Sequence, residues 1–253
     1  RAFMDKYGLV GYPLGHSFSK SFFNDKFAEE GIDAEYFNFE IPSLEEFQEI
    51  IDANPELKGM NVTIPYKQKI IPFLDEVSKE ALEIGAVNVV KCIKKNNGEV
   101  KLVGYNSDAM AFYRSIEPLI KPHHKKALIL GTGGASKAVH YALTKMLGMK
   151  AVFVSRYHRP DTALYEAITP EVVKEYEVIV NCTPCGMFPK TNECPKLPYE
   201  ALTDKNLLYD LVYNPDETLF MRNGAKYGAT VKNGLEMLLL QALASWEFWN
   251  DED

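Results

Sequence analysis

Lys67 and Asp108 are the residues of this chain whose types and positions best suit proton transfer. Lys67 ends the segment Asn61–Lys67 (NVTIPYK), in which a proline stops a short apolar strand pattern. Asp108 ends Gly104–Asp108 (GYNSD), which follows a second strand pattern. Because an ammonium and a carboxylate tune each other's pKa, such a pair can exchange a proton with a substrate hydroxyl. Taken singly, Lys67 also fits a solvated lysine at a helix start, and Asp108 fits a helix N-cap.

Polar side chains alternate with apolar ones just before Lys67. Asn61 and Thr63 stand at alternate positions of the strand pattern, so a strand would present both side chains on one face. An amide, a hydroxyl and an ammonium at one strand end supply donors and acceptors for a polyhydroxylated anion. The segment therefore predicts a small, hydroxylated, acidic substrate.

The composition is that of a soluble globular enzyme. The chain has 253 residues, enough for two modest domains, and 46% are hydrophobic and 25% charged. The net charge of −7 argues against nucleic acid or an anionic membrane as a general partner. The longest apolar run, Met237–Leu240, is far too short to span a membrane. Arg1–Asp5 contains no apolar stretch of the kind that directs export, so we expect a cytoplasmic protein. We further expect the protein to be a monomer or a homodimer.

The cysteines predict reduced thiols. They are Cys92, Cys182, Cys185 and Cys194. Cys182 and Cys185 have the spacing of a redox or zinc motif, but neither a second cysteine pair nor a nearby histidine completes a metal site. We therefore expect no bound metal, and free thiols fit a reducing cytoplasm.

Strand and helix patterns alternate almost throughout the chain, which predicts an α/β fold of two domains. We assign residues 1–108 to a substrate-binding and catalytic domain and residues 109–234 to a Rossmann-like dinucleotide-binding domain. A final helix over residues 235–250 is apolar nearly all round, so we expect it to pack back on the first domain. A charged, proline-containing joint in the second domain carries His123 and His124, which we interpret as solvated residues.

Local signals predict several element ends. Ser43 and Glu46 have the spacing of a capping box at the start of a helix. Asn96–Gly98 (NNG) predicts a hairpin turn between two strands. The strand that precedes Lys67 is expected over Met60–Ile64.

A glycine-rich loop predicts a nucleotide site in the second domain. Residues 128–139 (LILGTGGASKAV) have the pattern of a strand, a glycine loop and a helix start. Glycines there allow the backbone to approach a pyrophosphate, whose charge the N–H groups of the helix N-terminus stabilise. The candidate contacts are Gly131, Gly133, Gly134, Ala135 and Ser136. A plain tight turn is the alternative.

The end of the next strand favours NADP over NAD. An NAD enzyme holds the ribose 2′-hydroxyl with an acidic residue there, whereas this chain has Ser155, Arg156 and Arg159. A hydroxyl and two guanidinium groups provide charge-assisted bonds to a 2′-phosphate. We therefore predict that the cofactor is NADP.

A series of short motifs extends along nearly the whole chain. In the first half they are GYPLGHSFS at 11–19, NVTIPYK at 61–67, GAVN at 85–88 and NSD at 106–108. In the second half they are GTGGAS at 131–136, NCTP at 181–184, YDLVYNP at 209–215 and GLEMLLLQA at 234–242. In this order they resemble the shikimate dehydrogenase family, and the series is far more specific than any single motif.

The resemblance implies a role for each matching residue. The residues that would bind the substrate are Ser17, Ser19, Asn61, Thr63, Asn88, Tyr213 and Gln241. The two serines would hold its carboxylate, Tyr213 would lie near that group at the domain cleft, and the others would bind ring hydroxyls. Lys67 and Asp108 would be the catalytic pair. Thr183 and Gly234 would join the NADP site.

The implied reaction is the reversible, NADPH-dependent reduction of 3-dehydroshikimate to shikimate on the route to chorismate and the aromatic amino acids. One alternative is a sister enzyme that also acts on quinate or uses NAD. The pair Ser17 and Ser19 favours shikimate, because quinate carries an extra hydroxyl beside its carboxylate. A second alternative, a nucleotide-sensing regulator without chemistry, would be favoured by loss of Lys67 or Asp108, and both are present.

Overall fold

The computed structural model describes residues 4–252, and within them the chain forms two compact α/β units. The first unit comprises residues 4–107 and 242–252, and the second unit comprises residues 108–241. The predicted α/β class is confirmed. Arg1–Phe3, on which part of the expectation about export rests, lie outside the described residues.

A mixed sheet of six strands, counted over the described residues, forms the centre of the first unit. The strands are β1 (Asp5–Gly11), β2 (Ala34–Glu40), β3 (Leu57–Val62), β4 (Glu76–Val77), β5 (Val89–Lys94) and β6 (Val100–Tyr105), in the order β2-β1-β3-β5-β6-β4. Strand β1 is parallel to β2 and β3, whereas β5 is antiparallel to both β3 and β6. The carboxyl ends of β1, β3 and β6 and the amino end of β5 therefore meet at one edge of the sheet, here called the first edge.

Helices cover both faces of this sheet because alternate strand residues are apolar on each side. The helices are α1 (Phe18–Glu30), α2 (Phe47–Ala53) and α3 (Lys79–Ile84). Val10 of β1 packs in one cluster with Phe47 of α2, while Tyr7 packs in another with Phe23 of α1. Helix α1 begins at the N-cap Ser17 and ends at Gly31, whose φ of 66° suits glycine.

The capping box predicted at Ser43 and Glu46 differs in the structure. The Ser43 hydroxyl accepts a hydrogen bond from the backbone N–H of Glu45. The chain forms a short 3₁₀ helix, Leu44–Glu46, before α2 begins. Because a 3₁₀ turn is tighter than an α turn, the N–H that faces the cap comes one residue earlier than the capping box requires.

The last helix, α8 (Leu235–Asn250), contributes its second half, from Ala242 onward, to the first unit. Trp249 lies over Gly59 of β3, where a side-chain Cβ would come within 2.3 Å of the indole. The indole Nε1 donates to the carbonyl of Val90 at 3.1 Å. Trp249 also packs against the rings of Tyr7 and Phe23. The end of the chain is thus part of the core of the first unit.

The second unit contains a parallel sheet of six strands, again counted over the described residues. The strands are β7 (Lys126–Leu130), β8 (Lys150–Ser155), β9 (Thr162–Leu164), β10 (Val178–Asn181), β11 (Leu207–Asp210) and β12 (Thr230–Lys232), in the order β12-β11-β10-β7-β8-β9. From β7 the chain proceeds first to β8 on one side and later to β10 on the other. Ligands of such sheets bind at this reversal, beyond the carboxyl ends of the strands.

Helices accompany this sheet in the sequence order expected of an α/β unit. They are α4 (Asp108–Ile116), α5 (Gly134–Tyr141), α6 (Pro170–Glu175), α7 (Leu219–Lys226) and the first half of α8. A π-helix, Ala142–Met146, continues α5. Phe112 of α4 and Val139 of α5 pack with Ile129 of β7 in one core cluster.

Two further local predictions are wrong. Strand β3 ends at Val62 rather than Ile64, because the chain turns at Pro65, which has no N–H for a strand ladder, and Ile64 is 71% exposed. His124 is only 7% exposed, so it is not a solvated joint residue like the exposed His123. Its Nδ1 accepts from the N–H of Lys121, and its Nε2 lies 3.0 Å from the carbonyl of Lys205. Burial lowers the pKa of His124.

No helix within residues 4–252 has both the length and the apolar character that crossing a membrane requires.

Candidate active site

Lys67 lies in the turn that follows β3 at the first edge. Its side chain is half-buried, and its backbone carbonyl accepts a hydrogen bond from Val87 at 2.7 Å. Thr63, at the start of the turn, donates its backbone N–H to Val10 at 2.9 Å, and Tyr66 donates to Thr63. The turn is therefore held to β1 on one side and to the segment before β5 on the other.

The segment Gly85–Asn88, which joins α3 to β5, fixes two parts of the chain. Besides the bond from Val87 to Lys67, the carbonyl of Ala86 accepts from the Asn106 side chain at 3.0 Å. The Asn88 side chain accepts from the backbone N–H of Ser107 and donates to its hydroxyl. One segment of the first unit thus holds the backbone at Lys67 and the residue that directly precedes Asp108.

Asp108 is the first residue of α4 and therefore the first residue of the second unit. A carboxylate in the first turn of a helix is stabilised by the partial positive charge of the helix N-terminus. Lys67 belongs to the first unit, and its predicted partner begins the second.

Ser17 and Ser19 occupy the start of α1, beyond the carboxyl end of β1. The Ser17 hydroxyl accepts from the backbone N–H of Lys20 at 3.1 Å, which leaves its own hydrogen for a further acceptor. Ser19 is buried. Two hydroxyls at a helix N-terminus suit a carboxylate, since the helix dipole favours an anion at this end.

Asn61, near the end of β3, is only 4% exposed, and its side-chain amide is hydrogen-bonded to other residues of the protein. Its Oδ1 accepts from the Tyr36 hydroxyl at 2.9 Å. Its Nδ2 donates to the carbonyl of Asn88 at 3.2 Å and to the Ser245 hydroxyl at 2.9 Å. Because both amide hydrogens have protein acceptors, the group that Asn61 could still offer a ligand is a lone pair of Oδ1.

The N-terminus of α5 in the second unit lacks a side-chain cap. Gly133 is its N-cap residue, and the Ser136 hydroxyl points back to donate to the Gly133 carbonyl at 2.6 Å. Hydroxyls cap four other helices, at Ser17, Ser78, Thr169 and Thr218, whereas α2 resembles α5 in having no side-chain cap. A glycine-lined start without a side-chain acceptor leaves the first amides of α5, including those of Gly134 and Ala135, for an anionic ligand.

Gly131 marks the reversal point between β7 and β10. Its φ of 112° suits glycine, and a Cβ there would lie 3.2 Å from Cγ2 of Thr183. The position of Thr183 is fixed by Asn181, whose Oδ1 accepts hydrogen bonds from both the N–H and the hydroxyl of Thr183. The structure therefore brings Gly131 and Thr183 together at the position where dinucleotides bind in this kind of sheet.

Asp210 organises the loop that follows β11. It is fully buried, and it accepts hydrogen bonds from the Thr218 hydroxyl at 2.7 Å, from the N–H of Val212 at 3.0 Å and from the Asn181 amide at 3.1 Å. Burial raises the pKa of Asp210 to about 6, although these hydrogen bonds act in the opposite direction. Asn181 therefore joins Asp210 to the Thr183 loop.

Tyr213 and Gly234 lie beyond the same strand. A Cβ on Gly234 would come within 2.1 Å of the carbonyl oxygen of Leu211, so only glycine permits this approach. Tyr213 is 39% exposed, and partial burial raises its pKa. Gln241 of α8 donates its amide to the carbonyl of Leu238 at 3.0 Å. These residues belong to the second unit, whereas Ser17 and Lys67 belong to the first.

The loop after β8 carries the residues predicted to select the nucleotide. The buried Ser155 hydroxyl accepts from the N–H of Tyr157 at 3.1 Å. The Arg156 guanidinium lies over the Tyr157 ring, 5.6 Å from its centroid. Arg156 and Arg159 are both exposed. The loop therefore presents two cations after the strand end, and its one carboxylate, Asp161, comes directly before β9.

The described residues contain no group of three side chains that could hold a metal ion. Cys92, Cys182, Cys185 and Cys194 are free thiols. Burial raises the pKa of Cys92 to about 12 and also raises that of Cys185, so neither is disposed to form a thiolate.

Residues that the sequence analysis did not single out complete the hydrogen bonding of the candidate site. They are Tyr36, Ser107, Asn181, Asp210 and Ser245. The sequence could have indicated a buried hydrogen bond at Ser245, because a hydroxyl in a helix that is apolar nearly all round needs a buried partner. It could not have indicated one at Tyr36, since tyrosine is common in strands.

Known proteins of similar sequence match nearly the whole chain. A family model described as the shikimate dehydrogenase substrate binding domain matches residues 9–90. The chain is 37% identical to the shikimate dehydrogenase (NADP(+)) of Caldicellulosiruptor saccharolyticus, over 98% of this chain and 93% of that protein.

Solved structures give the same agreement for the fold. A shikimate 5-dehydrogenase of Thermus thermophilus, in complex with NADP(H) and shikimate, has a TM-score of 0.82 at 29% identity, covering 98% of this chain and 94% of that one. A quinate dehydrogenase of Corynebacterium glutamicum, in complex with NAD, has a TM-score of 0.83 at 25% identity, with the same coverages of 98% and 94%.

Proposed function

Since the chain belongs to the shikimate dehydrogenase family, we propose that its first unit binds the substrate at the first edge and that its second unit binds NADP at the start of α5. The chain is an NADP-dependent oxidoreductase that interconverts 3-dehydroshikimate and shikimate.

The observation that carries the catalytic assignment is a pair of hydrogen bonds by which Gly85–Asn88 holds the backbone at Lys67 and at Ser107. The N–H of Val87 donates to the carbonyl of Lys67, and the Asn88 side chain accepts from the N–H of Ser107. A catalytic pair must keep its spacing during turnover, and a shared segment of backbone supports a constant position for each member.

Lys67 would give a proton to the oxygen at ring C3 during reduction and take it back during oxidation. The Asp108 carboxylate would orient the ammonium and accept a hydrogen bond from the neighbouring ring hydroxyl. Bound NADPH supplies the hydride that C3 receives. Proton transfer from a positioned group of this kind contributes roughly 10²- to 10⁴-fold to the rate.

The substrate carboxylate would bind at the start of α1. Ser17 keeps a hydroxyl hydrogen for it, and Ser19 follows in the first turn of the helix. Thr63, Asn88 and Gln241 would bind ring hydroxyls, together with the Oδ1 lone pair of Asn61. Tyr213 would contact the carboxylate. These assignments rest on the resemblance and on the polar character of the first edge.

The second unit offers groups that fit NADP. The uncapped start of α5 would hold the pyrophosphate with its amides, and Gly131 would permit close approach of the backbone. Ser155, Arg156 and Arg159 would bind the 2′-phosphate, because two guanidinium groups match its charge. Thr183 and Gly234 would line the nicotinamide end of the site.

The activity is tested by adding 3-dehydroshikimate to the protein and NADPH, and measuring the oxidation of NADPH as a loss of its absorbance. The same assay in the other direction, with shikimate or quinate and with NADP or NAD, tests the preferences. We expect the highest kcat/KM with shikimate and NADP. A higher kcat/KM with quinate would instead identify the sister activity.

Quinate with NAD is kept as the second candidate because the quinate dehydrogenase of C. glutamicum has a similar fold. Ser17 and Ser19 favour shikimate, since quinate needs room and a partner for its extra hydroxyl. The exposed Arg156 and Arg159 favour NADP, since NAD has no phosphate for them to bind.

A cytoplasmic location and a monomeric or homodimeric state complete the proposal. The free thiols at Cys182 and Cys185 suit a reducing compartment. Gel filtration with light scattering measures the oligomeric state.

A further inference from the structure

Tyr36 joins the two parts of the first unit to which substrate contacts are assigned. It lies in the middle of β2 and is among the largest side chains that are fully buried. Its hydroxyl donates to Asn61 Oδ1 at 2.9 Å, and its backbone N–H donates to Asn24 of α1 at 2.8 Å. One residue thus connects α1 with the end of β3.

The direction of these hydrogen bonds is determined by chemistry. The backbone carbonyl of Asn88 can only accept, so the Asn61 group that faces it must be the NH₂, and Oδ1 must face Tyr36. Tyr36 must therefore donate to Asn61, since a carbonyl oxygen has no hydrogen to give.

The remaining hydrogen of the Asn61 amide continues the chain. It is donated to the hydroxyl of Ser245, which is fully buried in α8. Ser245 in turn lies 3.4 Å from the hydroxyl of Ser107, which accepts from the Asn88 amide. Every polar group in this path is buried, so each hydrogen bond is electrostatically stronger than it would be in water.

The backbone of Tyr36 is also tied to α1. Asn24 of α1 accepts from the N–H of Tyr36 at 2.8 Å and donates to its carbonyl at 3.1 Å. The Tyr36 ring stacks on Phe23 of the same helix, with centroids 5.0 Å apart. Tyr36 therefore sets the position of α1 relative to β3 through its backbone, its ring and its hydroxyl.

We propose that Tyr36 is a positioning residue for substrate recognition, whose hydroxyl holds the Asn61 amide with a fixed hydrogen-bond direction and whose backbone and ring hold α1. The inference rests on the proposed function, which assigns Asn61 to substrate binding. Ser245 acts on the same amide from the opposite side.

The Tyr36→Phe variant removes one oxygen and keeps the ring. We expect the dissociation constant of shikimate, measured by calorimetry, to rise about two- to tenfold, the range for loss of one hydrogen bond. The KM for NADP should stay within about twofold, since the change is confined to the first unit. Ser245→Ala, which removes the other side-chain partner of the Asn61 amide, should show the same selectivity.

Tyr7→Phe is the matched control. Tyr7 is the register partner of Tyr36 on β1, is similarly buried and belongs to the same aromatic cluster. Within the described residues its hydroxyl makes no hydrogen bond to Asn61, whose Oδ1 accepts from Tyr36. We expect Tyr7→Phe to bind shikimate as the wild type does, with thermal unfolding reporting any loss of stability in each variant.

Coupling between residues separates a positioning role from a general loss of stability. If Tyr36 acts through Asn61, the effects of Tyr36→Phe and Asn61→Ala on shikimate affinity should be less than additive in the double variant. Wild-type affinity in both Tyr36→Phe and Ser245→Ala, or an equal loss in Tyr7→Phe, overturns the inference. If Ser19→Ala and Asn61→Ala also leave shikimate binding unchanged, the proposed substrate site falls with it.

Discussion

Asn88 and Ser107 are joined by two hydrogen bonds that run in opposite directions. The Asn88 Oδ1 accepts from the Ser107 N–H at 2.7 Å, and the Asn88 Nδ2 donates to the Ser107 hydroxyl at 2.8 Å. Both residues are buried. Because Ser107 directly precedes Asp108 in the chain, a change at Asn88 would disturb the start of α4 as well as any contact with a ring hydroxyl. Loss of activity in an Asn88 variant would therefore not by itself identify a ligand contact.

Lys67→Ala should lower kcat by at least about 100-fold, because it removes the group proposed to exchange the proton. The KM for shikimate should change by less than about threefold. Steady-state kinetics in the direction of shikimate oxidation measures both constants. Lys69→Ala is the control, since Lys69 is exposed on the same turn. Near-wild-type turnover in Lys67→Ala would remove the catalytic role.

Ser17→Ala should weaken shikimate binding by about 1–2 kcal/mol, the effect of losing a hydrogen bond to a carboxylate. The substitution also removes the cap of α1, which lowers the free energy of unfolding by about 1 kcal/mol. Ser43→Ala removes a cap in the same unit, where the hydroxyl accepts from Glu45 at 3.2 Å. Calorimetric titration should show weaker binding for Ser17→Ala alone. Equal shikimate affinity in the two variants would mean that Ser17 only caps its helix.

Arg156→Ala should raise the KM for NADP about ten- to a hundredfold and leave that for NAD nearly unchanged. The physical reason is that a guanidinium contacts the 2′-phosphate, which NAD lacks. Arg222→Ala tests for a general effect of lost charge, since Arg222 is exposed on α7 of the same unit. Should the preference for NADP persist in Arg156→Ala, the phosphate is bound by other residues.

Asp210 should make stability depend on acidity in an unusual direction. Its folded-state pKa of about 6 exceeds the ordinary value of 3.8, so the folded protein holds this proton more tightly than the unfolded chain. The contribution is present below pH 3.8 and is lost as the pH rises to about 6.

Asp210→Asn removes that titration. The melting temperature of the wild type, relative to Asp210→Asn, should therefore fall between about pH 4 and about pH 6 and then level off. Calorimetric melting at a series of pH values measures the difference. Asp204→Asn is the control, since Asp204 is exposed. A constant difference across this range would show that Asp210 titrates normally.

The regular parts of the fold were predictable because their signals are local. Strand β10 has the predicted bounds, Val178–Asn181, since a short apolar run followed by a polar loop leaves little choice. The turn at Gly98 follows from its asparagines and the glycine's φ of 87°. Strand β9, Thr162–Leu164, was missed because three residues are too few to show a period.

Partners of buried polar groups were not predictable, because they depend on packing between distant segments. Asn61 and Ser245 are 184 residues apart in the sequence, yet they share a hydrogen bond. His124 illustrates the same limit, since its partner carbonyl belongs to Lys205. A residue type indicates that a partner is needed when the group is buried, whereas only the folded chain shows which partner it has.

The place of Trp249 in the first unit has a consequence for synthesis on the ribosome. The indole fills the space above Gly59, so the core of the first unit is incomplete until the last residues of α8 have been translated. The second unit, residues 108–241, ends before this segment. Domains made in sequence usually fold in sequence. Here we expect the opposite order, with the unit that is translated first reaching its native state last.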